Sequence, residues 1–167
     1  MANTVQQTTL SVQINESISI NGVDYGNNTS KTIQGCGKVD QRVMEMNSSA
    51  MTQVFAYQAS LPDLKGTGVK GEFKYFRITN LDDSVGITVQ LYVSAVKSGY
   101  FKLSAGTSLV LFENDVDFLC EGDSFTLTDI VAVAVKTDSE TEDVVVTSYI
   151  EYMAVFAGGV GVGEGGE

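Results

Sequence analysis

Histidine and tryptophan are both absent from this chain of 167 residues. Without an imidazole, neither a Ser-His-Asp triad nor a Cys-His pair can form, because both use histidine as the general base. The same absence removes the commonest protein ligand of zinc and copper. The sequence therefore predicts a protein that is not an enzyme, with no catalytic residue, no metal site and no cofactor.

Positive charge is scarce: 10 Lys and Arg residues stand against 21 Asp and Glu residues, which gives a formal net charge of −11. Nucleic-acid-binding proteins neutralise phosphates with clustered Lys and Arg, and polybasic segments hold proteins on anionic membranes. The sequence contains no such cluster. We therefore expect neither nucleic acid nor a membrane as a partner.

Long apolar runs and paired cysteines are also missing. No run approaches the roughly 20 apolar residues of a membrane-spanning helix, and "MANTVQQTTL" lacks the basic start and apolar segment of a signal peptide. The two cysteines, Cys36 and Cys120, are expected to be free thiols, as is usual inside cells. These features predict a chain that is made and kept in a cytoplasm, or released only by lysis.

The chain does contain period-two alternation of apolar and polar residues almost throughout, which predicts strands with one buried face. In "LSVQINESISI" the alternation ends at Asn21-Gly22, a strong signal for a two-residue hairpin turn. Roughly ten such strands, punctuated by turns, predict an all-β fold: an antiparallel β-sandwich, jelly-roll-like, with little or no helix. The last strand, in "VVVTSYIEYMAVFA", reads as the longest, and the loop 61–71 is the one place where a short helix is plausible.

Composition divides the chain into three parts. Residues 1–9 form a polar N-terminal arm, residues 10–157 form a single β-sandwich domain, and residues 158–167 form a Gly-rich C-terminal tail. Such a tail cannot pack or hold one conformation by itself.

Three stretches superficially resemble reactive or ligand-binding motifs. Ser108 in "AGTSLV" lacks the second glycine and the helix of a nucleophile elbow, so it reads as an outward residue at the start of a strand. The glycine loop "GTGVKGE" lacks the spacing of a phosphate-binding loop. The acidic clusters, which lie at residues 82–83, 113–117, 121–123 and 138–143, lack the EF-hand spacing, although loop carboxylates of this kind can bind calcium weakly.

The run "KYFRITNLDDSVGITVQLYV", followed by "GYFKLSAGTSLVLFEN" and later by "DIVAVAVKTD" and "EYMAVF", resembles the small β-sandwich accessory proteins of tailed-phage virions. The shared pattern is a strand that ends in Ile-x-Asn-Leu-Asp, a turn, an alternating strand and a Lys-Leu-x-x-Gly-x-Ser strand pair. It spans residues 73–156, about half of the chain, and the first 70 residues match nothing. The resemblance implies a virion structural protein that is assembled in the host cytoplasm.

Four functions stay open on the sequence. The first is a capsid decoration (cement) protein, oligomeric and bound to the major capsid protein. The second is a neck or tail component, such as a collar or a tube-associated ring subunit. The third is a carbohydrate-binding or receptor-binding module that uses surface tyrosines, and the fourth is a carboxylate-based hydrolase.

One candidate interface can be named. The last strand is apolar on both faces, whereas a strand with water on one side has one polar face. Its second face either packs inside the domain or meets a neighbouring subunit. The glycine-rich tail that follows favours the neighbour, and we predict a homo-oligomer interface centred on Tyr149, Met153 and Val155.

Overall fold

The computed structural model describes residues 7–57, 67–68, 72–94, 98–113, 118–120, 123–138 and 144–157. Within these residues there are strands, one 3₁₀ turn at Leu127–Asp129 and no α-helix. The strands are β1 (Thr8–Asn15), β2 (Ser19–Ile20), β3 (Val23–Asp24), β4 (Asn28–Asn47), β5 (Thr52–Tyr57), β6 (Thr67–Gly68), β7 (Phe73–Asn80), β8 (Ile87–Tyr92), β9 (Ser98–Leu103), β10 (Ser108–Phe112), β11 (Phe118–Cys120), β12 (Asp123–Phe125), β13 (Ala132–Thr137) and β14 (Thr147–Ala157). The predicted all-β class is confirmed.

The strands form two five-stranded sheets and two short hairpins. Sheet 1 has the order β1-β4-β14-β7-β10, sheet 2 has the order β6-β5-β13-β8-β9, and the hairpins are β2-β3 and β11-β12. Without β1 and β6, the order β4-β14-β7-β10 over β5-β13-β8-β9 is that of an eight-stranded jelly roll. The chain changes sheet at every connection between these eight strands except β8 to β9. The predicted antiparallel, jelly-roll-like sandwich is therefore confirmed.

The main core lies between the two sheets. Phe55 of sheet 2 packs against Phe73 and Phe156 of sheet 1, with ring centroids 5.5 and 5.4 Å away. Along β14 the side chains of alternate residues from Ser148 to Phe156 are buried on this side. The inward face that the sequence predicted for this strand is confirmed from Ile150 onward.

The prediction that the last strand is the longest is wrong. β4 has 20 residues and β14 has 11. β4 continues through the glycines on either side of Cys36. Gly35 has φ +73°, a conformation that glycine adopts without strain, and the register of both neighbouring strands shifts next to it.

The two halves of β4 have different partners. Residues 28–36 pair with β1, and residues 36–47 pair with β14. Sheet 1 curls strongly at this point. The curl is seen in the position of Lys31 Nζ in β4, which lies only 5.1 Å from the ring centroid of Phe112 in β10. In a flat sheet, three strand spacings would separate these strands by about 14 Å. The curl brings β1 and the first half of β4 over the outer face of sheet 1.

Several boundaries can be compared with the prediction. β1 begins at Thr8, inside the predicted arm 1–9. The predicted Asn21-Gly22 turn is present, with φ angles of 53° and 81°. Of the loop 61–71, Thr67–Gly68 forms β6, parallel to β5. The tail 158–167 and the acidic stretch 139–143 lie outside the described residues. None of the described residues belongs to a helix that is long and apolar enough to cross a membrane.

Candidate interaction surface

The three residues of the predicted interface lie on the outer face of β14, away from the main core. Tyr149 is 52 % exposed, Met153 is half-buried and Val155 is fully buried. Across the strand pairs, Tyr149 lies beside Glu45, and Val155 lies between Val39 and Tyr75. The structure thus places these side chains on one face, with exposure rising toward the start of the strand.

Val155 is buried by its own chain. It belongs to a second cluster of buried residues on the outer face of sheet 1, with Ile33, Cys36 and Tyr75. Partly buried apolar side chains complete this cluster, namely Leu10, Val12, Val110, Phe112 and Met153. The apolar character of Val155 therefore has a cause inside the chain, which the sequence could not reveal because it depends on the curl of β4. The interface predicted around Tyr149 and Met153 stays a prediction.

The middle of this outer face is polar. Arg77 Nη2 donates to Glu151 Oε1 at 3.0 Å, and Gln41 Nε2 donates to the same carboxylate oxygen. Among the described residues, the buried Arg77 Nε finds no hydrogen-bond acceptor. A partly exposed ion pair of this kind adds little stability, but it fixes a charged patch between Met153 and the exposed Val43.

Two tyrosines of β14 donate to carboxylates of β4. Tyr149 Oη donates to Glu45 Oε2 at 3.2 Å, and this bond raises the pKa of the exposed phenol. Tyr152 Oη donates to Asp40 Oδ2 at 2.9 Å, and Asp40 also accepts from Arg42 Nε at 3.1 Å. Burial, and then the Asp40 carboxylate, raise the pKa of Tyr152 well above its ordinary value. Both phenols are therefore neutral donors at ordinary pH.

The Ser108 turn is a corner of the fold. Ser108 is exposed at the start of β10, and its hydroxyl lies 2.8 Å from that of Thr79. Gly106 has φ +68°, Leu103 is buried, and Leu109 packs against the main core. The exposed Ser108 at the start of a strand is what the sequence predicted for "AGTSLV", and no proton acceptor suited to activating the serine lies in these contacts.

A polar connection that the sequence analysis missed lies at the end of β7. Asn80 is fully buried, and its Nδ2 donates to the carbonyls of Val85 and Ser104 at 2.8 and 3.2 Å. Its Oδ1 accepts from Ser148 Oγ at 3.2 Å and from the Asp82 amide at 3.1 Å. One side chain thereby ties two loops to β14. The Ile-x-Asn-Leu-Asp pattern was the available signal, but it reads equally well as an ordinary turn.

Three acidic residues of the predicted clusters are engaged in local structure. Asp82 Oδ1 accepts from the Ser84 and Val85 amides at 2.9 Å, and these bonds lower the pKa of the Asp82 carboxyl. Glu113 Oε2 lies 2.7 Å from Lys74 Nζ, and Asp138 accepts from Thr88 Oγ1. In the described part of the chain, no three acidic or thiol side chains converge on a point that could hold a metal ion. The structure does not describe the side chains of the remaining acidic candidates, Asp115, Asp117, Glu121 and Asp123. Of the two cysteines, Cys36 is a free, buried thiol, and the side chain of Cys120 is not described.

The outer face of sheet 2 carries a small polar array. Gln90 Nε2 donates to Tyr100 Oη at 2.7 Å and to Ser98 Oγ at 3.0 Å, and Tyr92 Oη donates to Gln90 Oε1 at 2.6 Å. Tyr100 is 61 % exposed. Beside Tyr92 lies an open depression of about 300 Å³, lined by small, amide and apolar residues.

The strand order defines the chain as an all-β jelly-roll sandwich, and the polar contacts of Arg77 and Gln90 lie on the outer faces of its two sheets. Comparison of the chain with family models, with curated proteins and with solved structures finds no match.

Proposed function

We propose that this chain is a non-enzymatic structural protein of a tailed-phage virion, a decoration protein that stabilises the capsid shell through protein–protein contacts. The observation that carries the proposal is the outer face of sheet 1, where Val39, Val43 and Tyr149 are each more than half exposed on long paired strands. Exposed apolar side chains held on a strand framework are typical of contact surfaces.

Two further features support a structural role. Jelly rolls serve as shell domains in viruses, although they also occur in lectins and cupins, so this support is an analogy of fold. Of the carboxylates that a hydrolase could use, Asp82 closes a turn and Glu113 pairs with Lys74.

The proposed partners are further copies of this chain and the major capsid protein. The net charge of −11 keeps the surface away from packaged DNA and from polyanions of the host. The proposed location is the virion, after assembly in the host cytoplasm. In the alternative role, as a neck or tail component, the same contacts would build a ring. This role differs from the decoration role in the number of copies per particle and in their position on the virion.

Gold labelling of virions with an antibody against this chain tests the proposal. Gold spread over the whole shell is the expected result. Gold at one vertex or along the tail would replace the decoration role with the neck or tail role. Particles without gold, from a culture that produces the chain, would overturn the virion assignment.

A second candidate function is glycan binding by the outer face of sheet 2. The observation that favours it is the Gln90 amide held between the Tyr92 and Tyr100 hydroxyls beside an open depression. Phenol hydroxyls held by a buried amide beside an open depression can orient sugar hydroxyls. Binding on a glycan array that is lost in Gln90→Ala and kept in Gln41→Ala, an amide on the opposite sheet, would support this function, and an empty array would remove it.

A further inference from the structure

Residues 8–36 form one continuous antiparallel hairpin, here called the long hairpin. Its register is constant from Leu10↔Ile33 through Ile14↔Thr29 to Ile20↔Val23. Between the assigned strands, Glu16 and Asn27 exchange two backbone hydrogen bonds of 2.7 and 3.1 Å, and the Tyr25 amide donates to the Ile18 carbonyl at 2.8 Å. A Cβ at Gly26 would lie 2.4 Å from the Glu16 carbonyl oxygen, so glycine allows the close approach of the two strands there.

The long hairpin is amphipathic. Directly paired residues of antiparallel strands point to the same side, so the register assigns every side chain to a face. One face carries the apolar residues Leu10, Val12, Ile14, Ile18, Ile20, Val23, Tyr25 and Ile33, interrupted by Glu16, Asn27, Thr29 and Lys31. The other face carries Ser11, Gln13, Asn15, Ser17, Ser19, Asp24, Gly26, Asn28, Ser30 and Thr32. No apolar side chain lies on this second face.

The apolar face is covered at its root and open toward its tip. Leu10, Val12 and Ile33 pack into the second cluster on the outer face of sheet 1. Farther along the same face, five large side chains are 48–61 % exposed, namely Ile14, Ile18, Ile20, Val23 and Tyr25. An apolar face stabilises a hairpin when it packs against another surface, but an apolar face exposed to water does not stabilise an isolated hairpin. Within the described part of the chain these five side chains stay open, so this part of the face is available to a partner surface.

We propose that the tip of the long hairpin docks on a second copy of this chain, with its apolar face on the open part of the outer face of sheet 1. The root already packs on that sheet at the end that holds Val155 and Phe112, so the same hairpin face meets the same sheet face in both contacts. The sheet face also offers Val39, Val43 and Tyr149, which are 52–63 % exposed and lie around the Arg77–Glu151 ion pair. Two copies related by a twofold axis exchange tips and cover both surfaces at once.

Charge favours this segment for contact between like copies. The molecule carries −11, and two such molecules repel each other. The long hairpin contains two acids, Glu16 and Asp24, and one lysine, Lys31, so its own formal charge is −1. It is thus a nearly neutral segment of a strongly acidic chain.

The area is also sufficient. Five large side chains with half of their surface open amount to roughly 400 Å² per tip, near the upper end of what a monomer exposes in one patch. Covering two tips and an equal area on two sheets removes about 1,600 Å² in total, which is the size of a standard specific interface. The inference concerns the long hairpin alone, and it holds whether or not the chain is a virion component.

Sedimentation equilibrium of the full chain with paired variants tests the proposal. We expect a dimer for the parent at about 10 µM, at least a tenfold weaker dimer for Ile18→Asp and for Ile20→Asp, and a change of less than twofold for the control Ser19→Asp. The control puts the same charge between these two positions but on the polar face. Circular dichroism melts of all variants confirm folding, because these side chains lie outside both cores. A monomeric parent at 100 µM, or equal weakening by all three variants, would overturn the proposal.

A photo-crosslinking residue in place of Tyr25 identifies the occupant. The expected product is a crosslinked dimer in which the attached peptide comes from β4 residues 36–47 or from β14. Crosslinks within one chain only, or to the tip of the partner alone, would contradict docking on sheet 1. In a producing cell, crosslinks solely to a different protein would show that the tip serves another partner.

Discussion

At the scale of single residues, the fold depends on a few buried polar groups whose bonds reach across the sequence. Asn80 joins the loop after β7, the loop after β9 and β14 through contacts of 2.8–3.2 Å. A buried amide is costly unless its hydrogen bonds are made, and here each polar atom has at least two partners. Asn80 therefore holds the loops at this end of the sandwich in register.

Replacing Asn80 with alanine should lower the free energy of unfolding by about 2–3 kcal/mol, because the buried partner groups lose their hydrogen bonds. Thr79→Ala, which removes only the contact with Ser108, serves as the control and should cost less than about 0.5 kcal/mol. Urea unfolding measures both. Equal midpoints for the two variants would show that Asn80 has no special role.

The Tyr152 phenol predicts how stability changes with pH. Its pKa is raised in the folded state, mainly by burial, so folding favours the protonated form. This contribution is fully present below the unfolded pKa of about 10 and is lost as the pH rises toward the folded pKa. We expect the melting temperature of the parent to fall above about pH 10, and to fall less steeply in Tyr152→Phe. The pKa values of Tyr75 and Tyr149 are also raised. These two tyrosines therefore cause part of the fall in melting temperature in both proteins. The control is Tyr100→Phe, an exposed phenol on sheet 2; an identical pH profile for parent and Tyr152→Phe would contradict the assignment.

At the scale of elements, the sequence predicted the strands well and their partners poorly. Alternation located the inward face of β14 and the Leu103 and Leu109 corner, and Asn-Gly located the hairpin turn, because these signals are local. The length of β4 and the cover over Val155 depend on a bend at Gly35 and on contacts between distant strands. No local pattern in the sequence encodes those contacts. For this reason the apolar second face of β14 indicated a contact with a neighbouring subunit, although part of that face is covered by the same chain.

The bend in β4 can be tested at Gly35. Its φ is +73°, and a Cβ there would meet only Gln7 Oε1 at 3.8 Å, so the constraint is conformational and not steric crowding. Gly35→Ala should cost about 1 kcal/mol, whereas Gly35→Asn should cost less because asparagine tolerates this conformation better. Chemical unfolding gives the two values, and amide hydrogen exchange in β1 shows whether the long hairpin loosens. If alanine is tolerated as well as asparagine, β4 does not need the left-handed residue.

At the scale of the whole molecule, the outer face of sheet 1 combines two kinds of surface. One end is an internal core made by the root of the long hairpin, and the other end is open around Tyr149. The predicted interface residues fall on both sides of this division, since Val155 is buried and Tyr149 is exposed. A substitution at Val155 should therefore change the stability of the fold, and a substitution at Tyr149 should change the association between copies.

Val155→Asp should destabilise the fold by about 3 kcal/mol or more, because it leaves an unpaired charge in a core. Tyr149→Ser should change the free energy of unfolding by less than about 0.5 kcal/mol, yet weaken association between copies. Thermal melts and sedimentation of the same samples separate the two effects. An unchanged association of Tyr149→Ser, together with truncation after Ala157 that also leaves assembly unchanged, would place the contact elsewhere.

The copy number of the chain per particle decides whether this jelly roll is, as proposed, a multi-copy part of a particle shell. Quantitative mass spectrometry of purified virions, with the major capsid protein as the internal standard, gives the number of chains per particle. We expect a ratio to the capsid protein near that of a regular lattice, which means hundreds of copies. A few copies per particle would contradict the decoration role, and none would contradict the virion role altogether.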